Sequence, residues 1–263
     1  MTETPPHPKI DTTVPHSARV WNHWLGGNDN YEVDRVLGDQ VEQAFPEIVE
    51  IARAQRAFLA RAIRYLAGEV GIRQFLDIGT GLLTANNTHE VAQSVAPEAR
   101  IAYVDNDPLV LVHARALLTS SPEGATDYID ADVRDVDAIK KQASRTLDFN
   151  KPIALTMLGI LAHLDPYEEA RATAHRLTGI LPSGSYLVVA DSANTSEGIV
   201  EAARVWNQTA NPQYHIRTRE QLAGYFDGLE LVEPGMVSTP RWRPDPGALP
   251  EELDELVGVG RKP

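Results

Sequence analysis

Apolar residues recur at two different periods along this chain, and the change of period marks out its elements. Between residues 47 and 67, Ile48, Ile51, Ala52, Phe58, Leu59, Ala62, Ile63 and Leu66 fall at three- and four-residue intervals. That spacing places them on one helix face. A second helix is predicted over 33–45, and Gly68 and Gly71 close the helical region. From residue 72 onward, short apolar runs alternate with helical stretches. Strands are predicted at 72–78, 100–104, 127–129, 152–158 and 185–190, and helices at 84–95, 108–118, 166–179, 196–208 and 218–225. Pro108 suits a first helical turn, and Thr218 with Gln221 three residues later reads as a capping box. Two late strands, near 229–233 and 256–260, flank the loop WRPDPG.

Strands alternating with helices imply βαβ units and a parallel sheet. The late strands are joined by a long loop with no crossover helix, which points to an antiparallel strand at the sheet edge. The expected fold is therefore α/β: a Rossmann-like, doubly wound, mostly parallel sheet of seven strands. Residues 16–70 are read as an N-terminal helical cap or lid and 71–263 as the main domain. Residues 1–15, with four prolines and little apolar material, are read as a mobile tail.

Composition narrows the picture. A chain of 263 residues fits one large domain with an ample core. A net charge of -13 argues against binding nucleic acid through its phosphates. With no cysteine there is no disulfide, thiolate metal site or cysteine nucleophile, in keeping with a reducing cytoplasm. The N-terminus lacks the apolar region of a secretory signal, and no apolar run approaches the roughly 18 residues that span a bilayer. The expectation is a cytoplasmic protein with neither a membrane nor a nucleic-acid partner.

Candidate chemistry gathers at three predicted strand ends. The first strand runs into Asp77-Ile78-Gly79-Thr80-Gly81. Glycines there allow a tight turn and close approach of a ligand to the backbone. Thr84 stands where the third glycine of a dinucleotide fingerprint would lie, which leans away from NAD. The second strand ends at Asp105-Asn106, about 24 residues beyond Gly81. An acid at that place can accept both hydroxyls of a ribose. The third strand ends at Asp132-Val133, where a carboxylate and an amide can read an adenine edge. Acids at successive strand ends lie along one crevice. A lone D-x-G-x-G is often only a turn, but the ordered set points to a nucleoside.

At these residues the chain resembles the class I S-adenosylmethionine-dependent methyltransferases. Asp77–Gly81 looks like their first motif, Asp105 like their ribose acid and Asp132 like their adenine contact. It is closer still to an actinobacterial family of S-adenosyl methyltransferases, formerly a domain of unknown function. The stretches SARVWNHWLGGNDNY, DIGTGLLTANNTHEVAQ, YVDNDPLVLVHARALL and VGVGRKP carry that likeness. The chain departs from both patterns at Leu83, where the family has proline and the broader motif its last glycine. The resemblance implies S-adenosylmethionine as cofactor and methyl transfer as activity. It implies no acceptor, and a small molecule is expected.

The fourth strand end, Thr156 to His163, should border the transferred methyl, with Leu158 against the cofactor. It lacks the D/N-P-P-Y/F pattern of methyltransferases that act on amino groups of bases or glutamine. His163 reads either as a general base or as a residue capping the helix near Pro166. Trp21–Tyr31 reads either as a lid over the site or as a helix packed on the sheet with a glycine turn. In the lid reading Asp29, Asn30 and Tyr31 face the acceptor, and Tyr31 is the second catalytic candidate. Asn86, Asn87 and His89 either cap the next helix or reach the methionine end. His89 and His113 lack zinc-ligand spacing, so no metal is expected. Val200, Ala203, Val205 and Trp206 read as ordinary packing. Two other functions stay open at this point: a non-catalytic S-adenosylmethionine-binding regulator and an NAD-dependent oxidoreductase.

Overall fold

The computed structural model describes residues 10–82, 84, 86–117 and 119–263. Most of the expected tail, and the departure at Leu83, therefore lie outside the described residues. Eight strands form one sheet: β1 (Gln74–Ile78), β2 (Arg100–Asp105), β3 (Ala125–Asp130), β4 (Ala154–Leu158), β5 (Tyr186–Ser192), β6 (Glu230–Leu231), β7 (Val237–Ser238) and β8 (Glu255–Arg261). Their order is β3-β2-β1-β4-β5-β8-β6, with β7 also paired to β8. The first five are parallel, and β8 runs antiparallel to β5. The expected parallel sheet with an antiparallel edge is thus present, with eight strands in place of seven.

The extra strand has a local cause. β6 pairs with residues 260–261 of β8 and β7 with 256–257, so both occupy one edge position. Pro234 has no N–H to give to a ladder, and Gly235 turns the chain at φ 85°. These two residues split the edge into two short strands.

Every residue of β1 is buried, because the sheet is covered on both faces. Leu76, Ile78, Ala102 and Val104 face one core, closed by α6 (Val136–Ala143) and α7 (Tyr167–Gly179). Phe75, Ile101 and Tyr103 point the other way, under α3 (Ile48–Arg64) and α4 (Thr88–Val95). A strand's side chains alternate, so a one-residue slip would exchange the two cores. Helix α6 has no counterpart among the predicted elements. Its buried stripe is only Val136, Ile139 and Ala143 among charged neighbours, and Asp135 caps it through the Ala138 N–H. Helix α4 begins at Thr88 and not at 84, because the Asn87 N–H donates to Glu90 at 2.8 Å and closes the helix start there.

The N-terminal helices form a third core. Val20 and Trp24 of α1 (Ser17–Trp24), Leu37 and Val41 of α2 (Glu32–Ala44) and Ile48, Ile51 and Ala52 of α3 meet Ile199, Ala202 and Trp206 of α8 (Glu197–Trp206). The second half of α3 covers the sheet, so this one helix belongs both to the cap and to the main core. Residues 10–15, within the stretch expected to be a tail, lie along the cap. There Arg19 donates to the carbonyls of Asp11 and Val14 at 2.8 and 2.7 Å.

Candidate functional site

In the strand order, β2 and β3 lie on one side of β1 and β4 and β5 on the other. The chain therefore leaves the carboxyl ends of β1 and β4 in opposite directions, and a crevice opens between them. There lies a pocket of about 610 Å³, roofed by α1 and α8. Sheets of this kind bind ligands at this place, and the volume suits small-molecule sites.

The turn after β1 forms the floor. Gly79 and Gly81 have φ of 71° and 64°, a region that favours glycine. A Cβ on Gly79 would also overlap the Ile160 side chain from the turn after β4. The Gly79 N–H donates to the Val104 carbonyl at 2.7 Å, and the Gly81 N–H donates to Asp105 Oδ2 at 2.8 Å. The Asp105 carboxylate also accepts the Asp107 N–H at 2.9 Å. Burial pushes its pKa up, against those two bonds.

Of the residues expected to hold a cofactor, Gly79, Thr80, Gly81, Asp105 and Asn106 line the pocket. So do Asp132, Val133 and Leu158. Asp77 is not among the lining residues. It is buried beneath the turn, where Thr88 Oγ1 and Thr156 Oγ1 donate to its two oxygens at 2.6 and 2.7 Å. Burial raises its pKa, and the two hydroxyls and Arg56 work in the opposite sense. Asp132 is gripped by Arg134, whose Nε and Nη2 donate to its two oxygens at 2.8 and 2.6 Å. Those bonds hold its pKa low.

His163 lines the pocket. Its Nδ1 lies 2.8 Å from the Gln213 carbonyl. A carbonyl only accepts, so Nδ1 carries the hydrogen and Nε2 keeps its lone pair. Burial lowers the ring's pKa to about 4, so it is neutral near pH 7. The helix near Pro166 is capped by no His163 side chain. Tyr31, the other catalytic candidate, does not line the pocket. It packs with Leu82, Leu109 and Val110 beside the turn after β1, with the Arg19 guanidinium 5.3 Å above its ring. Asn22 lines the pocket, and Asn30 and Asp29 act behind it: the Asn30 side-chain amide and the Asp29 N–H both donate to Asn22 Oδ1.

His89 is buried against the Tyr103 hydroxyl, which takes its N–H at 2.7 Å, and is not a lining residue. Trp206, expected to be ordinary packing, lines the pocket while packing on Trp24, and Ala203 joins it. Val200 points to solvent. Gln55 and Arg56 of α3 also line the pocket and had no expected role. The signal for Gln55 lies in the sequence: it is the polar residue on the apolar stripe Ile48, Ile51, Ala52, Phe58, Leu59. Among the described residues no group of three His, Asp or Glu side chains is placed to hold a metal.

The model of the S-adenosyl methyltransferase family matches residues 3–263, nearly the whole chain. The chain belongs to this family. It is an S-adenosylmethionine-dependent methyltransferase, and the NAD reading falls away. A solved DUF574 family protein from Streptomyces avermitilis is 41% identical over 97% of this chain and 100% of its own, with a TM-score of 0.92. A candidate methyltransferase from Thermobifida fusca YX is likewise 41% identical over 98% and 99%, with a TM-score of 0.90. The magnesium protoporphyrin IX methyltransferase of Synechocystis, solved with bound S-adenosylhomocysteine, shares the fold at a TM-score of 0.56 and 12% identity, over 93% of both chains. No curated protein sequence matches this methyltransferase. No helix among the described residues is long and apolar enough to cross a membrane.

Proposed function

We propose that the turns after β1, β2 and β3 hold S-adenosylmethionine and that the rest of the pocket takes a small-molecule methyl acceptor. The observation that carries this reading is the Gly81–Asp105 pair. It sets a carboxylate and a glycine turn side by side on the pocket wall. That donor and acceptor set fits a nucleoside with two free ribose hydroxyls. Gly79, Thr80 and Gly81 pass close under the cofactor, Asp105 and Asn106 take the ribose, and Asp132 and Val133 take the adenine. Leu158 borders the methyl. Asp77 acts from beneath, fixing the turn through Thr88 and Thr156.

The cofactor supplies a methyl group already activated on a sulfonium, so displacement is in line. The protein's share is to align the acceptor and exclude water. The cap and α8 supply the exclusion, since they close the pocket from above. His163 is the lining side chain equipped to take a proton from the acceptor, through Nε2. The acidic balance of the chain supports an acceptor other than nucleic acid, and the lack of cysteine supports a cytoplasmic protein.

The test is a thermal-shift titration with S-adenosylmethionine, S-adenosylhomocysteine and NAD in parallel. Ligand at about 100 times its dissociation constant adds about 2.7 kcal/mol. The expected result is a shift with the two sulfur nucleosides, reduced in Asp105→Ala. A shift that Asp105→Ala leaves intact would overturn the placement of the cofactor.

A further inference from the structure

One wall of the pocket is a chain of five rings. Trp21 meets Trp24 at 5.5 Å, Trp24 meets Trp206 at 6.2 Å, Trp206 meets His163 at 6.3 Å and His163 meets Tyr214 at 5.3 Å. All five line the pocket. They come from α1, α8, the turn after β4 and the segment that follows α8, so only the folded chain assembles them. The wall is held from behind. The His163 ring is tied to the Gln213 carbonyl, and the His215 N–H donates to the Ala162 carbonyl at 2.8 Å. The Tyr214 N–H donates to Asn207 Oδ1 at 2.7 Å, and the Trp206 Nε1–H donates to the Pro212 carbonyl at 3.1 Å.

The chemistry of this wall is selective. Of the charged side chains lining the pocket, Arg56 stands on α3 and Asp105 and Asp132 on the turns after β2 and β3, while Arg134 also shares a second cavity with His163, Asp165 and Glu169. Beside the rings stand neutral polar groups, Asn22, Ser192 and Asn211. Successive ring planes are inclined by 66°, 47°, 37° and 87°, so a flat ring meets the wall partly face-on and partly edge-on, and both are favourable aromatic contacts. The one proton acceptor set among the rings is His163 Nε2, which no described residue bonds.

We propose that the acceptor is a flat aromatic compound bearing a hydroxyl group, bound against these five rings with its hydroxyl on His163 Nε2. This rests on the reading that the ring-lined half of the pocket is the acceptor side. In the reaction the hydroxyl oxygen forms the new bond to carbon as the sulfur–methyl bond breaks. The hydroxyl proton passes to Nε2 and then to solvent, leaving a methyl ether and S-adenosylhomocysteine. The protein as it exists is tested with three probes of one shape: 2-naphthol, 2-naphthoate and 2-naphthyltrimethylammonium. Tryptophan fluorescence reports binding in the presence of saturating S-adenosylhomocysteine, whose own binding is measured first by calorimetry. Labelled S-adenosylmethionine reports formation of 2-methoxynaphthalene.

The expected result is quenching by 2-naphthol at least tenfold tighter than by either charged probe, and methyl transfer to its oxygen. His163→Gln should keep S-adenosylhomocysteine affinity and melting behaviour while transfer falls by about 10²- to 10⁴-fold. Normal S-adenosylhomocysteine binding with no preference for 2-naphthol would overturn this inference and leave the cofactor placement standing. Absence of S-adenosylhomocysteine binding would overturn both.

Discussion

The Gln55 side-chain amide donates to Glu255 Oε1 at 2.8 Å, joining a pocket-lining residue of α3 to the buried end of β8 across 200 positions of sequence. Thr239 Oγ1 lies 2.7 Å from the other carboxyl oxygen and also reaches the Glu255 carbonyl. Burial raises the Glu255 pKa from 4.5 to about 7. The same burial, with the neighbouring Glu255 charge, pushes Asp191 well up.

A pH-dependent stability follows. The folded Glu255 binds its proton more tightly than the unfolded chain does. Its contribution is therefore full below about pH 4.5 and is lost as pH rises through about 7. Glu255→Gln keeps the shape and removes the charge: the new amide donates to Thr239, and its oxygen still accepts from Gln55. Denaturant melts should show the variant more stable than the parent by about 3 kcal/mol at pH 8.5 and nearly equal at pH 5. Equal shifts at both pH values would show that Glu255 does not titrate in this range.

The Gly79–Ile160 contact makes a second prediction. Gly79→Ala adds a methyl against Ile160 and forces a side chain into a left-handed backbone position. The expected loss is about 2 to 3 kcal/mol of stability together with S-adenosylhomocysteine affinity. Ile160→Ala in the same chain should restore part of it, because the steric half of the penalty disappears. Calorimetry on the single and double variants checks this, and a double variant no better than Gly79→Ala alone would exclude the contact as the cause.

Asp105→Ala removes a carboxylate that accepts the N–H of both Gly81 and Asp107. A hydrogen bond to a charged group contributes about 1.5–3 kcal/mol, so S-adenosylhomocysteine should bind about 10- to 100-fold more weakly. Isothermal titration gives the number directly. An unchanged dissociation constant would remove Asp105 from the cofactor site.

Arg19 anchors the cap. Its guanidinium reaches the Asp11 and Val14 carbonyls and lies 3.3 Å from Asp34, and both side chains of that pair are almost fully buried. Asp34 also accepts the His16 and Tyr31 N–H groups at 3.0 and 2.8 Å. Arg19→Met leaves the buried carboxylate without its cation, which costs about 3 to 5 kcal/mol when a buried pair is broken. The melting temperature should drop accordingly, and amide exchange in residues 10–35 should rise while that of β1 and β4 does not. Uniform loss of protection would mean that the cap and sheet unfold as one unit.

Much of this architecture is legible in the order of residues. The two hydrophobic periods marked the alternating strands and helices, and the acids at the first three strand ends pointed to a nucleoside, because such features are local in sequence. The split edge at Pro234-Gly235 and the helix Val136–Ala143 are local too. Each is too short for periodicity to single out: a two-residue strand has no period, and eight residues give the stripe Val136, Ile139, Ala143 barely two turns.

What tertiary structure alone decided is which side chains share the pocket. Tyr31 and His163 looked alike as candidates in sequence. Packing set one, half-buried, beside Leu82 and Leu109 and the other in the ring wall. Trp206 read as ordinary packing, Trp21 and Trp24 lay in a stretch that read either as a lid or as a packed helix, and Tyr214 and Gln55 had no assigned role. They acquire a common surface only when α1 and α8 close over the carboxyl ends of β1 and β4. Local periodicity specifies which face of an element is apolar. Long-range packing specifies which of those faces meet, and in this chain the ring-lined wall of the pocket is made entirely at such meetings.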